Sequence, residues 1–298
     1  MTPQPRDAAV HGIMLAAAGY SIIACADAAV KWVLPQVGVA GVLLWRGIVG
    51  AMVVAILFRG RVWPKNRRVV FGRSILHAAV AIIWYVAWMR GVGLADSYAV
   101  AALAPIMMTL LAIPMLGETV GWRRAMSCAI GFCGTLVMLQ PGGSLWRWEA
   151  LMLIVAVVGM AISRVLTRVL ARTDTAAAAA FWLMAAHIPL GLLALPFFEV
   201  PVSLLPTSWG SGVALLLFGC ANAMAHILFA RAYGLAPVAA LAPLEYTVLP
   251  FGAVLGYFLF SEIPAWTTWL GASIVVGAGI YNLHRERIRA RERRAAQA

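Results

Sequence analysis

Ten apolar runs, each about the length of a membrane-crossing helix, follow one another almost from end to end of this chain. Their bounds fall near 11–31, 38–58, 71–93, 97–116, 122–140, 146–170, 175–197, 208–233, 237–260 and 266–284. A helix rises about 1.5 Å per residue, so roughly 20 apolar residues cross a hydrocarbon layer about 30 Å thick. The connections are short and carry Gly, Pro and charge, as in LPQVG, GLADS, QPGGS and VPVSLLPTSWG. Ten spans leave no stretch long enough for a soluble domain. Lipid offers the backbone no hydrogen bonds, so apolar spans of this length must be helices. The expected fold class is an all-α membrane protein with ten transmembrane helices.

Composition agrees. Apolar residues make up 63% of the chain and charged residues 11%, too few charges to cover a water-facing surface of this size. The excess of 23 Lys and Arg over 11 Asp and Glu would point to nucleic acid in a soluble protein. Here the basic residues lie in short clusters between apolar runs, such as RGRVWPKNRR and the tail HRERIRARERR. That pattern sets membrane orientation, and no nucleic-acid partner is expected. With the N-terminus in the cytoplasm, the inner side receives Arg6, the 59–73 cluster including Arg73, Arg123, Arg124, Arg164, Arg168, Arg172, Arg231 and the tail. The outer side receives Lys31, Arg90 and Arg147, and Arg46 lies within the second span. The expectation is a multi-pass protein of a bacterial inner membrane with both termini cytoplasmic. Cys25, Cys128, Cys133 and Cys220 all fall inside apolar runs and read as small buried apolar residues, not disulfides or metal ligands.

The hexapeptide VAALAP occurs at 100–105 and again at 238–243. Upstream, RGVGLADSYAVAALAP matches RAYGLAPVAALAP; downstream, each copy leads to an acid and then a Trp, Glu118 with Trp122 and Glu262 with Trp266. Each closing span is rich in small residues, Gly131 and Gly134 in one, Gly271 and Gly277 in the other, which permit close helix contact. This ordered series reads as a duplicated unit of five spans: 1–142, then 143–284, with a basic cytoplasmic tail at 285–298. Five is odd, so the second unit enters the membrane from the opposite side. Two inverted five-helix repeats form a recurrent transporter design with the solute site between them. The second unit holds six more residues between its LAP and its acid than the first. Spans 4 and 9 should therefore differ at their ends.

Ten spans in two repeats, an Arg in the second span (LLWRGIVGA) and the LAP…GE and LAP…SE elements resemble the drug/metabolite transporter superfamily of the EamA repeat type. The whole chain is also similar to bacterial exporters of aromatic amino acids of the YddG type. The resemblance implies a ten-helix secondary transporter that exports amino acids, aromatic ones included, by alternating access. Other small amphipathic metabolites or drugs are the alternative cargo.

Polar groups inside hydrocarbon are costly and usually face a cavity or another helix. On span 1, Tyr20, Ala24, Asp27 and Lys31 share a helical face; on span 3, His77, Ala81, Tyr85 and Trp88; on span 8, Asn222, His226, Phe229 and Tyr233. Aligning Arg90 with Arg231 puts Tyr85 opposite His226 in the repeat. The candidate solute-binding residues are therefore His77, Tyr85, Trp88, Asn222 and His226: rings to stack on a flat solute, His and Asn to orient its polar groups. The competing reading is plain helix packing. Trp63, Trp122, Trp146, Trp148, Trp209, Trp266 and Trp269 lie at span ends and read as interface anchors.

Tyr20, Asp27, Lys31 and Glu245 are the candidates for gating or coupling. The simplest reading of Asp27 and Lys31, one turn apart, is a local pair. Glu245 has no partner visible in the sequence, and proton coupling is its functional reading. Pro105 and Pro243 remove a backbone donor from spans 4 and 9 and are expected to kink them. Glu118 and Glu262 read as loop anchors. There is no HExxH, GxSxG, phosphate-cradling Gly-Lys-Ser loop or dense Asp cluster. Neither enzyme chemistry, a metal nor a cofactor is expected. A membrane receptor or scaffold is the remaining class, and it would have no need of an inverted repeat.

Overall fold

A computed structural model describes residues 5–117, 122–139, 148–198, 204–236, 238–274, 276–278 and 280–281. Among these the regular structure is helical. Helix α1 (Pro5–Leu57) carries spans 1 and 2, α2 (Arg67–Met89) span 3, and α3 (Leu94–Ala101) with α4 (Ala104–Leu116) span 4. Helices α5 (Trp122–Leu139) and α6 (Trp148–Leu170) are spans 5 and 6. Span 7 is α7 (Ala176–Ala185) with α8 (His187–Ala194), and span 8 is α9 (Trp209–Leu235). Span 9 joins α10 (Val238–Leu241), a 3-10 segment (Ala242–Thr247) and α11 (Val248–Phe260); helical residues 266–274, 276–278 and 280–281 make span 10. The boundary near 142 and the tail at 285–298 lie outside the described residues.

The apolar part of α1 runs 48 residues, Val10–Leu57. As one straight helix it would be about 72 Å long, more than twice the hydrocarbon thickness. It is interrupted at Gly38, whose φ of 69° is accessible to glycine at little cost, three residues after Pro35. The chain reverses here: Gly12 of span 1 packs against Ala236, just past span 8, and Val54 of span 2 clusters with Ile227 near the same end of span 8.

The relative direction of spans 1 and 6 follows from the loops. The backbone amides of Lys65 and Asn66, after span 2, donate to the Asp174 carboxylate, after span 6. Spans 2 and 6 therefore finish at the same end of the bundle. Since span 1 runs against span 2, it also runs against span 6. Close packing follows the same order. A Cβ on Gly19 of span 1 would stand 2.7 Å from Phe229 Cε1 of span 8, and one on Gly159 of span 6 would stand 2.6 Å from Val80 Cγ2 of span 3. Only glycine allows these helix pairs to approach so closely. Gly134 meets Gly271 O and Ile274 across spans 5 and 10 in the same way, but Gly277 faces open space.

Spans 4, 7 and 9 are broken within the bundle. Span 4 breaks at Ala102 and Leu103, which places Pro105 in the first turn of α4. The helix stops before the proline and restarts around it, so the missing N–H falls where a helix has none to satisfy. Pro243 opens the 3-10 segment of span 9. Helices α4 and α11 are both 13 residues long and the 3-10 segment is 6. The six extra residues of the second unit thus lie in the middle of span 9, not at its end. Glu245 sits on them, which is why the first unit has no counterpart for it.

Two further expectations change. Cys25, Cys133 and Cys220 are free and lie on the outside of the bundle, where they face lipid; the side chain of Cys128 is outside the described set. Arg73 and Arg164, counted among the inner-side charges, are buried at 2% and 5% exposure. Trp63, Trp122, Trp148, Trp209, Trp266 and Trp269 are exposed as expected of interface anchors, and Trp146 is outside the described residues.

Candidate solute site

Residues of spans 1, 2, 3, 4, 6, 8 and 9 line a partly open cavity of about 100 Å³. All five sequence-derived binding candidates, His77, Tyr85, Trp88, Asn222 and His226, line it. So do Tyr20, Asp27 and Glu245. The helical faces read from the sequence on spans 1, 3 and 8 thus converge on one space. Trp84, Tyr98 and the small Ala81 and Ala101 complete much of the apolar wall.

The central group is Arg46 of span 2, which sequence reasoning noted in its span but did not place in the site. Its Nη1 donates to the Tyr85 hydroxyl at 2.9 Å. Its Nη2 lies 3.4 Å from His77 Nε2 and 3.3 Å from His226 Nε2. A guanidinium only donates, so both imidazoles accept through Nε2 and carry their proton on Nδ1. His77 fits this tautomer, with Nδ1 3.3 Å from Ser163 Oγ. The two rings meet edge to face with centroids 4.9 Å apart. The cost of an arginine in the middle of an apolar run was the signal that could have found this cluster.

A second cluster lies on the same cavity. Tyr20 donates to Glu245 Oε1 at 2.6 Å, and Arg164 Nε lies 3.3 Å from the same oxygen. The Arg164 guanidinium also stacks over Phe229, 4.1 Å from its centroid. Glu245 therefore has partners on spans 1 and 6, separated from it by 225 and 81 positions. The 3-10 segment presents its carboxylate to both.

Asp27 and Lys31 do not pair. The Asp27 carboxylate accepts from the Tyr98 hydroxyl at 3.0 Å, within the cavity wall. Lys31 is not among the lining residues; it forms an ion pair with Glu262 and donates to Val92 O at 2.9 Å. Glu262 also accepts from the backbone N–H of Leu94 at 2.6 Å. This satisfies the first free amide of α3, for which the N-cap residue Gly93 has no side chain. One carboxylate in the span 9–10 loop thus ties span 1 to the start of span 4. At the opposite end, Arg168 of span 6 donates to Tyr233 O at 2.5 Å. Val92 and Tyr233 occupy matching positions when Arg90 is aligned with Arg231. Glu118, the repeat counterpart of Glu262, is outside the described residues.

Residues 10–140 match the model of the EamA-like transporter family. The chain is similar to a riboflavin transporter of Rhizobium johnstonii, 29% identical over 233 residues, covering 77% of this chain and 73% of that protein. It is similar to an S-adenosylmethionine uptake transporter of Rickettsia prowazekii, 25% identical over 218 residues and 72% of each chain. It is also similar to a pseudopaline exporter of Pseudomonas aeruginosa, 23% identical over 90% of this chain and 94% of that one. A solved crystal structure shares the fold, with a TM-score of 0.66, 19% identity and coverage of 95% of this chain and 99% of the other.

Proposed function

We propose that this EamA-type membrane transporter is a secondary carrier of small amphipathic metabolites with a flat ring system, aromatic amino acids among them. It works by alternating access between two inverted five-span halves, residues 1–142 and 143–284. One observation carries the reading: spans of both halves line a single cavity, with aromatic rings around a small set of oriented polar groups. Riboflavin and S-adenosylmethionine, the cargoes named for the relatives, also join a ring system to a polar chain. Export of aromatic amino acids is the narrower assignment that the sequence resemblance implies. The setting is a bacterial inner membrane with both termini in the cytoplasm.

The cycle follows from the ties at the two ends. A cavity of about 100 Å³ is small beside the roughly 300–1,000 Å³ of ordinary ligand sites. A ring-sized solute therefore enters only as spans separate. Breaking the Lys31–Glu262–Leu94 contacts opens the outer end; breaking the Arg168–Tyr233 contact opens the inner end. Their matching positions in the repeat make the two openings related motions. Releasing one end while the other holds passes a solute without forming a pore.

The test is flux into proteoliposomes containing the purified full-length chain. Radiolabelled tryptophan, phenylalanine, tyrosine, riboflavin and S-adenosylmethionine are offered separately, with leucine as an acyclic comparison. Saturable entry of ring-bearing solutes above that of empty vesicles is expected. Failure of every solute to move refutes the assignment.

A further inference from the structure

The geometry points to Arg46 as the seat of a carboxylate, or an equivalent oxyanion, on the transported solute; this deepens the transport reading and rests on it. Among the described residues three arginines, Arg46, Arg73 and Arg164, are buried in the bundle, and their surroundings differ. Arg73 donates from Nε and Nη1 to the carbonyls of Ser163 and Ala179, an ordinary structural arrangement. Arg164 has the Glu245 carboxylate beside it. Arg46, at 6% exposure, has no carboxylate in ion-pair contact among the described residues.

Every polar contact of Arg46 is to a neutral group that itself lines the cavity. The tautomers required by its donors leave both imidazoles uncharged. The two histidine contacts are long, at 3.4 and 3.3 Å, and Arg46 Nε and His226 Nδ1 have no hydrogen-bond partner. A guanidinium stays charged at any physiological pH, and a buried charge without a counter-ion is strongly unfavourable. Among the described lining residues the other carboxylate besides Glu245 is that of Asp27; it is close enough to act electrostatically on Arg46 but makes no ion-pair contact with it and is engaged by Tyr98. Among the described residues no carboxylate contacts the Arg46 guanidinium directly.

A solute oxyanion supplies that contact. The planar fork of Arg matches the two oxygens of a carboxylate, and Tyr85, His77 and His226 hold that fork in place. Trp84 and Trp88 provide wall for an apolar ring attached to the acid. The carrier should then select acids over their amides or amines of the same shape.

The experiment uses the full-length chain in proteoliposomes and four indole probes: tryptophan, indolepropionic acid, tryptophanamide and tryptamine. Riboflavin, which has no carboxylate, and S-adenosylmethionine, which has one on its methionine part, are included for comparison and count with the non-acids and the acids respectively. Wild-type protein should move the two acids at least about tenfold more efficiently than the amide and the amine, the discrimination of one charge-assisted contact. Arg46→Gln should remove that preference. Arg46→Lys, which keeps the charge and loses the fork, should retain the preference at lower affinity and covers the case in which Arg46→Gln fails to fold. Equal handling of acids and amide by the wild type, or movement of riboflavin with no acid moved, overturns this proposal and leaves transport standing. An undiminished preference in Arg46→Gln overturns it as well. If no probe moves at all, the transport reading falls and takes this one with it.

Discussion

Replacing Glu262 by Gln tests whether one carboxylate holds an end of the carrier shut. The substitution keeps the shape and removes the charge. In the structure Glu262 accepts from Leu94 N at 2.6 Å and pairs with Lys31, whose side chain is 11% exposed against 23% for Glu262. The Gln oxygen can still accept from Leu94 N, so what is lost there is the excess of a charge-assisted hydrogen bond over a neutral one, about 1–1.5 kcal/mol. The ion pair is partly exposed and is discounted to about 0.5–1 kcal/mol. The sum, about 1.5–2.5 kcal/mol, corresponds to a shift of roughly 10- to 70-fold towards the state in which this end is open. Hydrogen exchange followed by mass spectrometry reads it directly, because the Leu94 amide loses its acceptor when the end opens. Peptides spanning 93–101 should exchange at least about 10-fold faster in Glu262→Gln, while the loop at Lys65–Asn66 stays unchanged. Lys31→Met should give a smaller effect. The double variant should fall short of the sum of the two, since both break one set of contacts. Wild-type exchange in Glu262→Gln, or strict additivity with Lys31→Met, would refute the reasoning.

Glu245→Gln should lower thermal stability by about 3–5 kcal/mol, because it strands the Arg164 charge at 5% exposure. The double change Arg164→Met with Glu245→Met should recover most of that loss; a double variant as unstable as the single one would reject the ion-pair account. Tyr85→Ala and His226→Ala should each cut initial transport rates about tenfold or more while the protein still elutes as a folded species. Normal rates in both would move the solute contacts elsewhere. In a background without native cysteines, Trp63→Cys between spans 2 and 3 should react with an impermeant thiol reagent only from the cytoplasmic side. Labelling from outside would reverse the assigned orientation.

The spans were legible because lipid leaves the chain few choices. A run of about 20 apolar residues must satisfy its own backbone, and only a helix does so within one segment. The breaks were partly legible. Pro105 and Pro243 mark two of them, but each sits just after the interruption, at the start of the next piece. The third, at Ala186 before Pro189, is of the same kind. Helical periodicity also gave the right faces on spans 1, 3 and 8, because a side chain's direction around its own axis is local information.

What periodicity cannot give is the rotation of one span against another, and this decides pairing. Asp27 and Lys31 are one turn apart, yet each finds its partner elsewhere, Tyr98 on span 4 and Glu262 beyond span 9. Arg73 and Arg164 lie inside the apolar runs 71–93 and 146–170, yet were counted with the loop charges that flank them. At that depth in an apolar run each requires a buried partner. The structure supplies carbonyls for one and a carboxylate for the other. Arg46 meets the same requirement differently, with direct contacts to neutral acceptors only. A protein under selection for stability alone would gain by replacing such a group with an apolar one. Its presence at the centre of the cavity is therefore best explained by what passes through.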